Sequence, residues 1–240
     1  MYLTKMGLYK RIEKCRNELN ERGVTNITIE NIVAVYDDIV VEYYPFATKG
    51  LKGMLFLASD DCDNNGMIIN SNLPEEERHF HSIHEFMHIM LHAGIPGNHI
   101  MTLENEIRNN QNSFLEWQAN EGAAELIIPY KEFVPLFAEL FTDYIQNGQW
   151  WEIVYGQKSI AEYLAERYQV SVPVILNRIS SLSYEIDQFR SGVPIDEVRI
   201  LSHSKQQEME IEVTDYRDIV KREIKRRLLS QVFEWDSVIS

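Results

Sequence analysis

A run of two histidines and a glutamate, HEFMH, stands inside an uninterrupted helical pattern in the first half of the chain. His84 and His88 are four residues apart, so an α-helix places both imidazoles on one face, about 6 Å apart along its axis. Apolar residues recur at three- and four-residue steps over residues 78–93, and no Gly or Pro interrupts them. Glu85 follows the first histidine, where a carboxylate can deprotonate a water molecule. This is the signature of a zinc peptidase, and the alternative is a buried helix with incidental histidines.

A catalytic zinc takes three protein ligands, so the motif requires a third. The candidate is Glu116, which begins a second helical pattern over residues 116–129 whose alanines permit close packing against the first helix. Asn120 lies one turn further on the same face, within reach of the outer nitrogen of a ligand histidine. Glu121 and Glu125 compete for the role, but they lie about 140° and 180° around the helix from Glu116. A solvated acid at a helix start is the alternative reading of Glu116.

Two further histidines belong to the first helical pattern. His92 lies one turn beyond His88, about 6 Å further along the axis, so we expect it to support or pack against the site without binding the metal itself. His81 precedes His84 by three residues and could line the cleft. The group that stabilises the transition-state oxyanion stays open among four residues: Tyr43, Tyr44, Tyr130 and His81.

The paired motifs resemble the ImmA/IrrE family of bacterial and phage metallopeptidases. The resemblance covers roughly residues 25–182 and is strongest in RHFHSIHEFMHIMLH at 78–92 and EWQANEGAAELIIP at 116–129. It implies that His84, His88 and Glu116 are zinc ligands and that Glu85 is the general base. It also implies a narrow substrate, typically a helix-turn-helix repressor whose cleavage frees stress-response or mobile-element genes.

Three positions depart from the family pattern. Met87 stands where the family prefers Gly, Gly122 where it often has Phe, and His81 where Thr is common. The exchange at Met87 and Gly122 moves bulk from one side of the helix pair to the other, which leaves repacking and a lost site as alternatives. Because no departure touches a ligand or the general base, we expect an intact site.

The expected fold class is α+β: a mainly helical, zincin-like metallopeptidase with a small antiparallel sheet beside the HEFMH helix. Strands are predicted at 39–44, 53–58 and 67–70, with a polar hairpin loop at 59–66 in preference to a calcium loop. We expect four regions: an N-terminal helix (1–24), a metallopeptidase core (25–150), a helical, helix-turn-helix-like segment (151–195) and a C-terminal extension with a basic amphipathic helix (196–240).

Composition narrows the class of partner. The formal net charge of −14 and the pI near 4.9 disfavour nucleic acid, whose phosphates are bound by Lys and Arg. The chain has 2 cysteines and no C-x-x-C pair, which argues against a disulfide framework. No stretch approaches 18 apolar residues, and the opening residues lack an apolar signal core. We therefore expect a cytoplasmic protein that binds neither membrane nor nucleic acid.

Two later segments leave alternatives open. Residues 160–179 have the spacing of a helix-turn-helix, but the second helix offers only Asn177 and Arg178 among apolar residues, which favours a structural or protein-docking helix pair. Residues 216–229 form a basic amphipathic pattern that either docks on an acidic body or binds a partner.

These observations favour a zinc-dependent endopeptidase that hydrolyses a peptide bond in a specific protein partner. One rival is a DNA- or protein-binding regulator with a structural or inactive metal site. A toxin–antitoxin-associated module is the other.

Overall fold

The computed structural model describes residues 3–48, 50–58, 63–92, 100–102, 110–147 and 158–225. Its chain divides into two compact units, Met1–Ile128 and Pro129–Ser240. The four-region division expected from the sequence stays a prediction. Most of the loop between the two motif helices, part of the 59–66 loop and the end of the basic helix lie outside the described residues.

The first unit contains both helices and strands. In chain order they are α1 (Lys5–Glu21), α2 (Ile29–Val33), β1 (Ile39–Tyr44), β2 (Gly53–Phe56), β3 (Asn65–Asn70), α3 (Glu75–His92), β4 (Ile100–Thr102) and α4 (Asn110–Ile127). Local chemistry sets the helix starts: the Thr4 hydroxyl accepts a hydrogen bond from the Gly7 amide, and Thr28 caps α2 in the same way.

The sheet has the strand order β1–β3–β2–β4. Strand β2 is antiparallel to both β3 and β4, which confirms the predicted hairpin. Strand β1 is parallel to β3, so the sheet is mixed and the expected antiparallel sheet is corrected at this strand. The cause is topological: β1 and β3 both run opposite to β2, and β3 lies between β1 and β2.

One face of the sheet is buried and supports the motif helix. Leu55, Met67 and Ile69 are almost fully buried on this face, and α3 packs on β2 and β3. On the other face Val40 and Phe56 are exposed. Because side chains alternate along a strand, every second residue of β2 faces α3.

Helix α4 packs along α3, and α1 packs on α4. The Tyr9 hydroxyl donates a hydrogen bond to the Glu121 carboxylate. The Arg16 guanidinium donates to the backbone oxygen of Glu125 at 2.9 Å. These polar contacts fix α1 against the outer side of α4.

The second unit consists of helices in its described part. They are α5 (Tyr130–Asn147), α6 (Ile160–Tyr168), α7 (Val172–Ser181), α8 (Ser183–Arg190), a 3₁₀ turn (Ile195–Glu197), α9 (His203–Glu208) and α10 (216–225). Ser159 and Glu162 form a capping box at the start of α6. The predicted mainly helical α+β fold class is confirmed. No helix among the described residues is long and apolar enough to cross a membrane.

Candidate metal centre

Three side chains from the two motif helices meet at one point in the first unit. The Nε2 atoms of His84 and His88 lie 3.1 Å apart. The Glu116 carboxylate reaches both, with its oxygens 3.3 Å from Nε2 of His84 and 3.2 Å from Nε2 of His88. Within the part of the chain that the structure describes, these three form the one cluster of His, Cys, Asp or Glu side chains that could hold a metal ion.

The separations suit a tetrahedral cation. Zinc bonds of about 2.0–2.1 Å at tetrahedral angles place ligand atoms about 3.3 Å from one another. The two Nε2 atoms are 3.1 Å apart, and the two oxygens of the Glu116 carboxylate lie 3.3 Å (Oε2) and 3.2 Å (Oε1) from Nε2 of His84 and of His88 respectively. Two imidazole nitrogens and one carboxylate oxygen are also the ligand set of a catalytic zinc with one position left for water. The residues present therefore fit the ion.

The outer nitrogen of His84 is held by α4. Its Nδ1 lies 3.1 Å from Oδ1 of Asn120, and since an amide oxygen only accepts, His84 carries its proton on Nδ1. A neutral His84 then keeps the lone pair on Nε2, the atom that faces Glu116. Asn120 thus selects the tautomer that can bind a cation.

A longer chain of contacts acts on His88. Its Nδ1 lies 3.0 Å from Nδ1 of His92, whose Nε2 lies 3.0 Å from Oε1 of Gln118. Because the Gln118 oxygen accepts, His92 donates from Nε2 and offers a lone pair at Nδ1, so His88 donates from Nδ1. The lone pair of a neutral His88 is then also on Nε2. His92 therefore orients a candidate ligand without reaching the metal position.

Burial and neighbouring side chains determine which residues of the site are charged at neutral pH. Burial lowers the pKa of His88 and lowers that of His92 to about 4, so both are neutral at neutral pH. Burial alone would raise the pKa of Glu116, but its contacts with the imidazoles of His84 and His88 outweigh burial and hold the pKa well below its ordinary range. Glu116 is accordingly a carboxylate, the form that binds a cation.

The family model of the IrrE N-terminal-like domain (Peptidase_M78) matches residues 35–180, a span that contains both motif helices. The chain belongs to this peptidase family. A search of curated proteins found no match. Family membership confirms the resemblance drawn from the paired motifs, and it supports a metallopeptidase type of function.

The exchange of bulk between Met87 and Gly122 is visible in this member of the IrrE N-terminal-like family. A Cβ atom built on Gly122 would lie 3.3 Å from the Met87 sulfur and 3.4 Å from Cδ1 of Ile12. Met87 is fully buried. Its side chain therefore fills the space beside Gly122 between the two helices. The same two helices bring His84, His88 and Glu116 together.

The two competing acids of α4 lie elsewhere. Glu121 accepts a hydrogen bond from Tyr9 on α1, and Glu125 is buried with its backbone oxygen bonded to Arg16. Neither belongs to the cluster with His84 and His88. Of the three acids of α4, Glu116 is the one that lies beside His84 and His88.

The four residues considered as donors to the transition-state oxyanion have different surroundings. The Tyr43 hydroxyl donates to Glu30 at 2.7 Å, and Tyr44 is 61% exposed. Tyr130 lies in the second unit. The His81 ring is beside the His84 ring, with centroids 6.4 Å apart, and burial lowers its pKa to about 3, so it is neutral.

Gln118 and Gly53 are the residues at this site that the sequence did not reveal. Gln118 is two residues from Glu116, and residues at that spacing do not share a helix face. Its contact with His92 depends on how α3 and α4 pack, for which the sequence carries no local signal. Gly53 is on β2 and faces Glu85.

Proposed function

We propose that this protein is a zinc-dependent endopeptidase in which His84, His88 and Glu116 bind the zinc ion and Glu85 is the general base. The observation that carries the proposal is the convergence of two Nε2 atoms and a carboxylate at 3.1–3.3 Å. The outer hydrogen bonds of both histidines favour the tautomers that such a site needs.

A zinc ion bound by these residues would supply a Lewis acid that polarises the scissile carbonyl and lowers the pKa of water. Asn120 and His92 keep the two imidazoles in the binding tautomer. Glu116 supplies a negative charge that is retained at neutral pH because its pKa is lowered. Three protein ligands would leave room at the ion for water or the carbonyl oxygen of a substrate.

Glu85 carries the proton through the reaction. It follows His84 on α3 and is half-buried beside the sheet, within the turn that bears both candidate ligands. Its carboxylate accepts a proton as the water oxygen bonds to the carbonyl carbon, and returns that proton to the amine nitrogen as the carbon–nitrogen bond breaks. No other proton carrier is required.

We propose a specific protein as substrate, namely a helix-turn-helix transcriptional repressor, on the strength of the family resemblance. The formal net charge of −14 opposes direct binding to nucleic acid. In α7, which would be the reading helix of a DNA-binding motif, Arg178 is only 1% exposed and Asn177 is its one exposed polar side chain. A buried arginine cannot contact phosphate or base edges, which supports a peptidase over a DNA-binding regulator.

Metal analysis tests the site. The purified protein should bind one zinc per chain, and His84→Ala or His88→Ala should each remove it, because each deletes one of three ligands. His203→Ala is the matched control, since His203 is exposed on α9 in the other unit. Unchanged stoichiometry in both ligand variants would refute the site.

The substrate is tested separately. The zinc-loaded protein is incubated with purified helix-turn-helix repressors encoded near its gene, and the products are read by mass spectrometry. Cleavage at one bond of one repressor supports the proposal. If another protein is cleaved while the repressors stay intact, the peptidase activity is supported and the repressor is rejected as its substrate.

A further inference from the structure

The backbone conformation at Gly53 in β2 does not require a glycine. Among the residues that the structure describes, the glycines with positive φ are Gly23, Gly50 and Gly192, whereas Gly53 is in the ordinary extended conformation of a strand. A glycine inside a strand is less favourable than alanine because it loses more conformational freedom on folding. Something other than the backbone conformation therefore accounts for a residue without a side chain here.

The nearest neighbour supplies the reason. A Cβ atom built on Gly53 would lie 2.7 Å from Oε1 of Glu85, 3.1 Å from its Cγ and 3.2 Å from its Cδ. Gly53 shares a strand face with Leu55, which is fully buried on the side that packs on α3. The Glu85 carboxylate thus lies in the space that any larger residue at position 53 would fill.

We propose that Gly53 is a positioning residue for the general base: its missing side chain lets the Glu85 carboxylate lie against β2 in the orientation that proton transfer needs. The inference rests on the proposed function, because Glu85 is the base only if the site is a peptidase. The contact itself is a property of the fold and can be tested without activity.

The clash would be relieved by the glutamate and not by the sheet. The closest atom that a Cβ would meet, Oε1, is at the end of a flexible side chain, and all three atoms belong to that side chain, which can rotate more easily than the backbone of β2 can shift. Gly53→Ala should therefore leave the fold and the zinc ligands in place while it moves the carboxylate. A misplacement of about 1 Å can cost about 100-fold in rate.

The experiment compares Gly53→Ala with Gly66→Ala. Gly66 is on the neighbouring strand β3, and a Cβ there would meet Phe56 at an ordinary 3.8 Å. Three readouts are taken: zinc affinity by chelator competition, the position of the Glu85 carboxylate in crystal structures, and the yield of new protein N termini in a lysate of the source organism.

We expect Gly53→Ala to keep wild-type zinc affinity, to displace the carboxylate by about 1 Å or more and to lose about 100-fold in product formation. Gly66→Ala should match the wild type in all three. An unmoved carboxylate, or product formation at the wild-type rate, would overturn the proposal. If the wild type forms no product, the proposed function fails, and the crystal structures still decide whether Gly53 positions Glu85.

A fourth variant covers the case in which Gly53→Ala does not fold. In Gly53→Ala/Glu85→Ala the neighbour of the new Cβ is gone, so thermal denaturation should show a folded protein again. If the double variant is as unstable as Gly53→Ala, the new methyl group meets something other than Glu85, and the inference is wrong.

Discussion

Replacement of Gln118 by methionine should weaken zinc binding without weakening the fold. Gln118 is 2% exposed, and its Oε1 fixes His92 as the tautomer that accepts from His88. In Gln118→Met no acceptor remains for the Nε2 proton of His92. His92 can then carry its proton on Nδ1 and donate to His88, which moves the proton of His88 to the nitrogen that binds the metal.

The contacts of Gln118 make two opposing contributions to the free energy of unfolding. Loss of the acceptor leaves the buried Nε2 of His92 without a partner in either tautomer, at a cost of about 1–3 kcal/mol. The Nε2 atom of Gln118 is itself buried without a hydrogen-bond partner, so its removal returns a similar amount of about 1–3 kcal/mol. The free energy of unfolding of the metal-free protein should therefore change little. Zinc affinity should fall by about 10–100-fold, as is typical when a contact behind a ligand histidine is lost.

Chelator competition and urea denaturation of the metal-free protein measure the two quantities. Gln118→Glu is the control, because a carboxylate of the same length keeps the acceptor and should keep wild-type zinc affinity. Wild-type zinc affinity in Gln118→Met would refute the tautomer argument. A parallel fall in affinity and in unfolding free energy would show that Gln118 acts through general packing.

Three further predictions concern other contacts of the two motif helices. Glu116→Ala should abolish tight zinc binding whereas Glu121→Ala should not, because only Glu116 reaches the histidines; metal analysis of both variants decides this. Asn120→Ala should weaken zinc binding by about 10–100-fold in a chelator titration, and an unchanged affinity would mean that its hydrogen bond to the ligand histidine is dispensable. Met87→Gly should destabilise the protein by roughly 2–5 kcal/mol because it leaves a cavity, and Gly122→Phe by about 1–3 kcal/mol because it overpacks the helix pair. Thermal denaturation should show the double variant less destabilised than the sum of the two, and strict additivity would contradict complementary packing.

The parts of the site that were predictable from the sequence lie within single helices. His84 and His88 share a face of α3 because the helical period alone places residues four apart together. The same period separates Glu116 from Glu121 and Glu125, and the structure brings Glu116 to the histidines. Asn120 follows one turn after Glu116 and meets His84. Local periodicity was enough for each of these.

The remaining contacts depend on how separate elements pack. Gln118 contacts His92 because of the way α4 packs along α3. The residue spacing within α4 does not determine that packing. Gly53 meets Glu85 because β2 lies over α3. The parallel pairing of β1 with β3 depends likewise on strand order, since the alternation of apolar residues fixes the buried face of a strand but not its neighbour.

The most direct test of the account compares the wild type with Glu85→Gln in cells of the source organism, with new protein N termini measured by quantitative mass spectrometry. Glutamine is nearly isosteric but cannot take up the proton, so the variant should keep its fold and zinc while the N termini produced by the wild type disappear. His203→Ala, outside the site, should leave them unchanged. Identical N-terminal profiles for the wild type and Glu85→Gln, with both proteins folded and zinc-loaded, would contradict the peptidase.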